Sequence, residues 1–165
     1  MPNDTIALAL YQPDIPQNAG NMLRLAACLG VPVHVIEPAG FDLSDRAMRR
    51  AGMDYLAHVE VLRHIDWERF AAARAASRQR LVLLTTRGQT AYTEFTFASG
   101  DILMVGRESA GVPDTIHAAA DARLVVPMRP GLRSINVGTT AAMVLGEALR
   151  QTGGFPPLLL SQSPS

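Results

Sequence analysis

The run Ile102-Leu103-Met104-Val105 carries no polar side chain, and Leu81 to Thr85 carries one only at its end. Both are far too short to span a bilayer as a helix, which takes about 20 apolar residues. A strand that is apolar on both faces must be covered on both faces. The common solution is a mostly parallel sheet between two layers of helices. The rest of the chain alternates accordingly. Ile6 to Leu10, Val33 to Ile36, a weaker His58 to Leu62 and Leu124 to Val126 read as further strands. Gln17 to Leu29 reads as a helix, with Pro16 at its start and Gly30 just past its end. Ser44 can cap a helix running to about Ala51, Asp66 one reaching Ser77, and Asn136 to Thr152 is the last. A short helix is expected after Pro113. The expected fold class is α/β, a mostly parallel sheet with helices on both faces. Ligands of such sheets bind outside the carboxyl ends of the strands, so chemistry is sought in the loops that follow them.

At 165 residues the chain has room for one domain. That domain is expected over residues 1–152, followed by a Gly-, Pro- and Ser-rich tail over 153–165. With 48% apolar and 18% charged residues, it is neither a disordered tail nor a disulfide miniprotein. Fifteen basic and fifteen acidic side chains cancel, so no global field draws it to nucleic acid or membrane. All of the basic residues are Arg, each a planar fork suited to phosphate or carboxylate. Cys28 stands alone, which rules out an internal disulfide and suits a reducing compartment. His34, His58, His64 and His117 lack metal-ligand spacing, so no metal is expected. The start Met1-Pro2-Asn3-Asp4 has no positive n-region. A cytoplasmic protein without membrane contact is the expectation.

The usual nucleotide motifs are missing: there is no G-x-x-x-x-G-K-[ST], no G-x-G-x-x-G after the first strand and no G-x-S-x-G. Three other loops stand out. Residues 13–24 lead a strand into a helix N-terminus, where free N–H groups attract an anion, and contain Asn18, Asn21 and Arg24. Residues 106–113 follow an apolar strand; Gly106 and Gly111 allow tight turns and flank the carboxylate Glu108. Residues 126–136 form a long loop with Pro127, Pro130, Gly131, Arg129 and Arg133, and end at Ser134 and Asn136, either able to cap the last helix.

In this order the three loops resemble the three motifs of the SPOUT class of RNA methyltransferases: P-x-N-x-G-N-x-x-R, G-x-E-[ST]-x-G-[LV]-P and V-P-M-x-P-x-x-R-S-x-N. The likeness is greatest to the TrmL subfamily, the tRNA (cytidine/uridine-34)-2'-O-methyltransferases. The stretches His34-Val35-Ile36-Glu37-Pro38, Arg49-Arg50-Ala51-Gly52-Met53-Asp54-Tyr55 and Leu84-Thr85-Thr86-Arg87-Gly88 extend it. The resemblance implies a deep trefoil knot in the C-terminal part, S-adenosylmethionine as methyl donor, a tRNA anticodon stem-loop as substrate and a homodimer. It places cofactor contacts on Leu84, Gly106, Val126 and Ser134, and catalytic roles on Arg24, Glu108, Ser134 and Asn136. Arg24 is always protonated; it suits holding a ribose or phosphate and stabilising alkoxide charge better than removing a proton. The small and apolar residues Ala19, Leu23, Ala26, Ala27, Ala141 and Val144 are expected to face a partner chain. Two departures from the subfamily pattern are Arg107, where Pro is frequent, and Gly138-Thr139 after Asn136-Val137.

RNA contacts are expected at Asn18, at Arg129 and Arg133, and at Arg46, Arg49 and Arg50, whose i, i+3, i+4 spacing puts three cations on one helix face. Replacing Arg49 and Arg50 with Ala should weaken tRNA binding. It should also lower the slope of log affinity against log salt by about one per lost phosphate contact, without changing cofactor affinity. Filter binding across a salt series measures this; an unchanged slope would mark the face as merely solvated.

Overall fold

The computed structural model describes residues 4–44, 46–47 and 54–159. Its strands are β1 (Ala7–Tyr11), β2 (Val33–Ile36), β3 (Val61–His64), β4 (Leu81–Leu84), β5 (Thr90–Ala91), β6 (Ile102–Val105) and β7 (Ala122–Val125). They form one parallel sheet in the order β3-β2-β1-β6-β4-β7-β5. The helices are α1 (Pro16–Leu29), α2 (Trp67–Ser77), α3 (Asp114–Ala119) and α4 (Val137–Thr152).

Strand alternation sends side chains to two separate cores. On one face Leu8, Leu10, Val82, Leu84, Leu103 and Val105 pack against α1 and α4. On the other, Ala9, Tyr11, Leu83 and Met104 meet Phe70 of α2 and Ile116 of α3. The two apolar runs are β4 and β6, buried throughout. Register aligns their ends: Val105 lies opposite Leu10 on one side and Leu84 on the other, and Leu84 lies opposite Leu124. The loops after β1, β4, β6 and β7 therefore leave the sheet side by side.

Helix ends follow local chemistry. Pro16 opens α1, and Gly30 closes it at φ 67°, its N–H reaching the Ala26 and Ala27 carbonyls. Asp66 caps α2 by accepting the Arg69 N–H at 2.8 Å. The Ser44 hydroxyl accepts the Ala47 N–H at 3.2 Å, as a cap would; the remainder of that expected helix lies outside the described residues. Asn136 caps α4, its Oδ1 accepting the N–H groups of Gly138 and Thr139 at 2.8 and 3.1 Å.

Two expectations need correction, and one strand was not expected. The weak strand begins at Val61 rather than His58, because residues 54–58 form a 3-10 turn. Its bounds are set by β2: the Glu60 carbonyl accepts the Val33 N–H, and the His64 carbonyl accepts that of Glu37. The pair Thr90–Ala91 at the far edge has no apolar pattern that could announce it. Ala19, Leu23, Ala26, Ala141 and Val144, expected to face a partner, are instead buried in this chain where α1 and α4 pack on the sheet. Among the described residues no helix is long and apolar enough to cross a membrane.

His34 on β2 and His64 on β3 stack on each other, Nδ1 to Nε2 at 2.9 Å, with Phe70 edge-on to both. Burial, reinforced by His64, holds His34 down to about 4, and burial also lowers His64. Both values are depressed by folding, so their contribution to stability is complete above the ordinary histidine range. It is lost as pH falls from about 6.5 toward 4, where the unfolded chain binds protons the folded one refuses. His34→Asn should therefore lose about 2–3 kcal/mol less stability than wild type between pH 7 and 4.5, measured by urea unfolding. Parallel losses would show that the pair does not titrate with folding.

Candidate functional site

A cleft of about 520 Å³ opens at the carboxyl ends of β4, β6 and β7, a size within the usual range for small-ligand sites. Its walls are residues 83–86, 105–112, 124–126 and 133–137, with Asn18, Met128, Thr140 and Val144 completing it. The inner part is apolar: Leu84, Val105, Leu124, Val126 and Val144 are all buried. The mouth is polar, with Arg107, Glu108, Arg133 and Asn136.

The loop before α1 connects the other two. Asp14 sits at the junction, tied to the loop after β6 from several directions. Its Oδ1 accepts the Glu108 N–H at 3.2 Å, its Oδ2 accepts the Ser109 hydroxyl, and its own N–H donates to Glu108 Oε2 at 3.4 Å. Farther along α1, Asn18 Oδ1 accepts from Asn136 Nδ2 at 3.1 Å. One short segment thus holds the second loop through Asp14 and the third through Asn18.

The Asp14 ties polarise the carboxylate pair. Hydrogen bonds from the Glu108 and Ser109 side of the contact hold Asp14 well below the usual carboxylate range. Burial, then the Asp14 carboxylate beside it, pushes Glu108 up. The two neighbouring carboxyls titrate as a pair, with the charged form favoured on Asp14 and disfavoured on Glu108.

Gly106 is required by the backbone itself. A Cβ there would stand 2.6 Å from the Gly111 carbonyl carbon, because residues 107 and 111 pair as an antiparallel bridge. The Gly111 carbonyl accepts the Arg107 N–H at 3.0 Å, and the Arg107 carbonyl accepts the Gly111 N–H at 2.7 Å. The space at Gly106 is filled by protein, so this glycine shapes the loop before any ligand arrives.

Of the residues singled out from sequence, Leu84, Gly106, Val126, Ser134, Glu108, Asn136, Asn18 and Arg133 all line this cleft. Arg24, Arg129 and Arg46 are not among its lining residues. Arg24 is exposed on α1 with its guanidinium 4.9 Å over the Tyr55 ring. Arg49 and Arg50 lie outside the described residues. Sequence reading missed Asp14, although its signal was present: it is the one acidic residue in the loop over 13–24, and it has no helix to cap. Thr85, Thr86 and Ile135 also line the cleft and were not singled out as ligand contacts. Among the described residues no group of three or more His, Cys, Asp and Glu side chains is placed to hold a metal ion.

The sequence pattern of the SpoU rRNA Methylase family matches residues 5–146. The chain belongs to this SpoU methylase family. At 60% identity over 152 residues it is similar to the tRNA (cytidine(34)-2'-O)-methyltransferase of Beijerinckia indica subsp. indica, covering 92% of this chain and 95% of the relative. At 42% over 155 residues it is similar to the enzyme of the same name from Escherichia coli strain K12, with 93% and 97% covered. A solved structure described for the 2-OH methylation of C/U34 on tRNA superposes with a TM-score of 0.83 at 40% identity, over 90% of this chain and 97% of that one. The SpoU methyltransferase AviRb from Streptomyces viridochromogenes, solved with the cofactor AdoMet, superposes with a TM-score of 0.81 at 25% identity, over 90% and 61%. Both solved structures share this fold over 90% of the chain.

Gly106→Ala should cost about 1–3 kcal/mol of stability and weaken S-adenosylhomocysteine binding at least tenfold, by displacing the loop that walls the cleft. Urea unfolding and calorimetry on the same preparation measure both. Unchanged stability and affinity would show that the close contact between residues 106 and 111 is dispensable.

Proposed function

We propose that this chain methylates the ribose 2'-hydroxyl of the wobble nucleotide, cytidine or uridine 34, of tRNA, with S-adenosylmethionine as donor. The observation that carries the reading is the convergence of all three motif loops on one cleft within a chain 60% identical to an enzyme of that name. The cleft fits the cofactor. Its apolar inner part suits an adenine ring and its polar mouth suits a charged methionine tail, in a volume of about 520 Å³. Leu84, Gly106, Val126 and Ser134 would hold it there. When bound, the cofactor supplies an activated methyl group on a sulfonium.

The chain's own residues then position the acceptor. Asn136 is fixed by capping α4 and by its bond to Asn18, so it offers a rigid polar contact at the mouth. Glu108 lines the cleft and is held there by the Asp14 N–H, so its carboxylate would receive the proton of the ribose hydroxyl. Opposite charges cancel during methyl transfer, so in-line positioning can supply much of the rate, up to about 7–11 kcal/mol in favourable cases.

Arg24 stands outside the cleft of its own chain. We therefore read the active form as a homodimer in which a second chain brings Arg24 to the substrate ribose. With the inward face of α1 and α4 spent on the core, the interface falls to their exposed side, where Arg24 and the half-exposed Met143 lie. The reading further comprises one methyltransferase domain over 1–152 with a threaded C-terminal part, phosphate contacts from Arg46, Arg49, Arg50, Arg129 and Arg133, a cytoplasmic location and no metal requirement. The strand order suits threading: β6 enters between β1 and β4, and β7 between β4 and β5, each pair formed from strands earlier in the chain.

The test is transfer from methyl-labelled S-adenosylmethionine to tRNA with nucleotide-resolution mapping. We expect a 2'-O-methyl at position 34, unaffected by chelator once the RNA is folded, and a dimer mass by light scattering. Methylation confined to another position or to ribosomal RNA would overturn the substrate assignment, and a monomer that is fully active would overturn the composite site.

A further inference from the structure

Arg107 is the cation in the cleft wall that the reading above does not use. Its backbone is locked by the bridge to Gly111, so the position of its side chain is fixed at the root. Its guanidinium lies beside Asp14, with Nε 3.9 Å from Oδ2, too far for a hydrogen bond. Asp14 already accepts the Glu108 N–H on Oδ1 and the Ser109 hydroxyl on Oδ2, which hold its carboxylate toward that loop. Arg107 Nε is screened from water, and among the described residues it has no hydrogen-bond partner. A desolvated donor without an acceptor is costly, yet the side chain as a whole is 40% exposed. Asp14 thus orients the fork electrostatically and leaves its donors unspent. Arg133, from the loop after β7, also lines the cleft.

We propose that Arg107 receives a phosphate of the RNA backbone next to the acceptor ribose, making it a substrate-positioning residue in the second motif loop. An oxyanion is the acceptor that a planar, charged fork takes most strongly, in a bidentate grip. The cofactor's carboxylate has the same chemistry. The RNA phosphate is favoured because the Arg107 side chain is 40% exposed among polar lining residues, whereas the apolar lining residues that suit the adenosyl group are buried. Arg133 is the other cation among the described residues lining the cleft, and the same RNA backbone would pass it.

This inference rests on the tRNA methyltransferase reading, and its test separates the two. Arg107→Ala and Arg107→Lys would be compared with wild type for tRNA affinity across a salt series, for S-adenosylhomocysteine affinity by calorimetry, and for kcat and KM. The Ala variant should bind tRNA about 5-fold more weakly near 0.1 M salt and lose about 0.7–0.9 from the salt slope, the share of one phosphate contact. KM for tRNA should rise and S-adenosylhomocysteine affinity should stay unchanged. The Lys variant should recover the slope, as a point charge does, without the full affinity of a fork. Wild-type tRNA affinity and slope in the Ala variant would overturn the proposal alone. Loss of S-adenosylhomocysteine affinity with intact tRNA affinity would also overturn it, assigning Arg107 to the cofactor's carboxylate. A wild-type protein with no affinity for tRNA would overturn the functional reading and this proposal together.

Discussion

The pairing of β6 with β1 on one side and β4 on the other is the constraint on which the rest depends. Ile102–Val105 is buried on both faces and hydrogen-bonded along both edges. A charged or polar residue there would lack both water and a partner. That central strand fixes where the chain emerges next, at Gly106, level with Leu10 and Leu84 in the neighbouring strands. The loop after it leaves the sheet between the loops of β1 and β4. A cleft at this point follows from the strand order, as ligand sites in open parallel sheets generally do.

Within that frame the loops hold each other. Asp14 and Asn18 reach from one segment to the second and third loops, and Gly106 admits the Gly111 backbone to a distance no side chain would allow. The cleft walls are thereby positioned by short polar contacts fixed to rigid strands and helices. Preorganisation of this kind matters for a reaction in which charge is annihilated rather than developed, because placement of the two reacting atoms is what the protein can supply. The same ties set two carboxyls apart, Asp14 held low by the hydrogen bonds it accepts and Glu108 pushed up by burial and by the neighbouring carboxylate.

Much of this was legible before any coordinates. The apolar runs at Leu81 and Ile102, the Pro16 and Gly30 punctuation of α1 and the Asn136 cap of α4 are local signals, and local physics decides them. The motif loops were legible through their resemblance to a family, and seven of the site residues drawn from them, with Leu84 at the end of β4, line one cleft. Sequence could not reach what depends on pairing across distance. The bounds of β3 are set by β2, and the Thr90–Ala91 strand exists only because β7 offers an edge. The role of Asp14 depends on a partner 94 residues away. Small residues on α1 and α4 looked like a surface for another chain because a helix buried in its own core and a helix buried in an interface carry the same apolar stripe. Arg24 and Arg107 show the converse: one carries the family's motif and stands outside the cleft, the other departs from the pattern and stands within it.

Amide hydrogen exchange with and without saturating S-adenosylhomocysteine tests most directly whether the cleft is where the methyl donor binds. Slowed exchange is predicted in residues 83–86, 105–112 and 124–137, with the largest change after β6, and little change in α2. A second groove, at the β5–β7 edge, is lined by Arg87, His117 and Arg123. Protection confined to that groove, or unchanged exchange around Gly106 under saturation, would contradict the account.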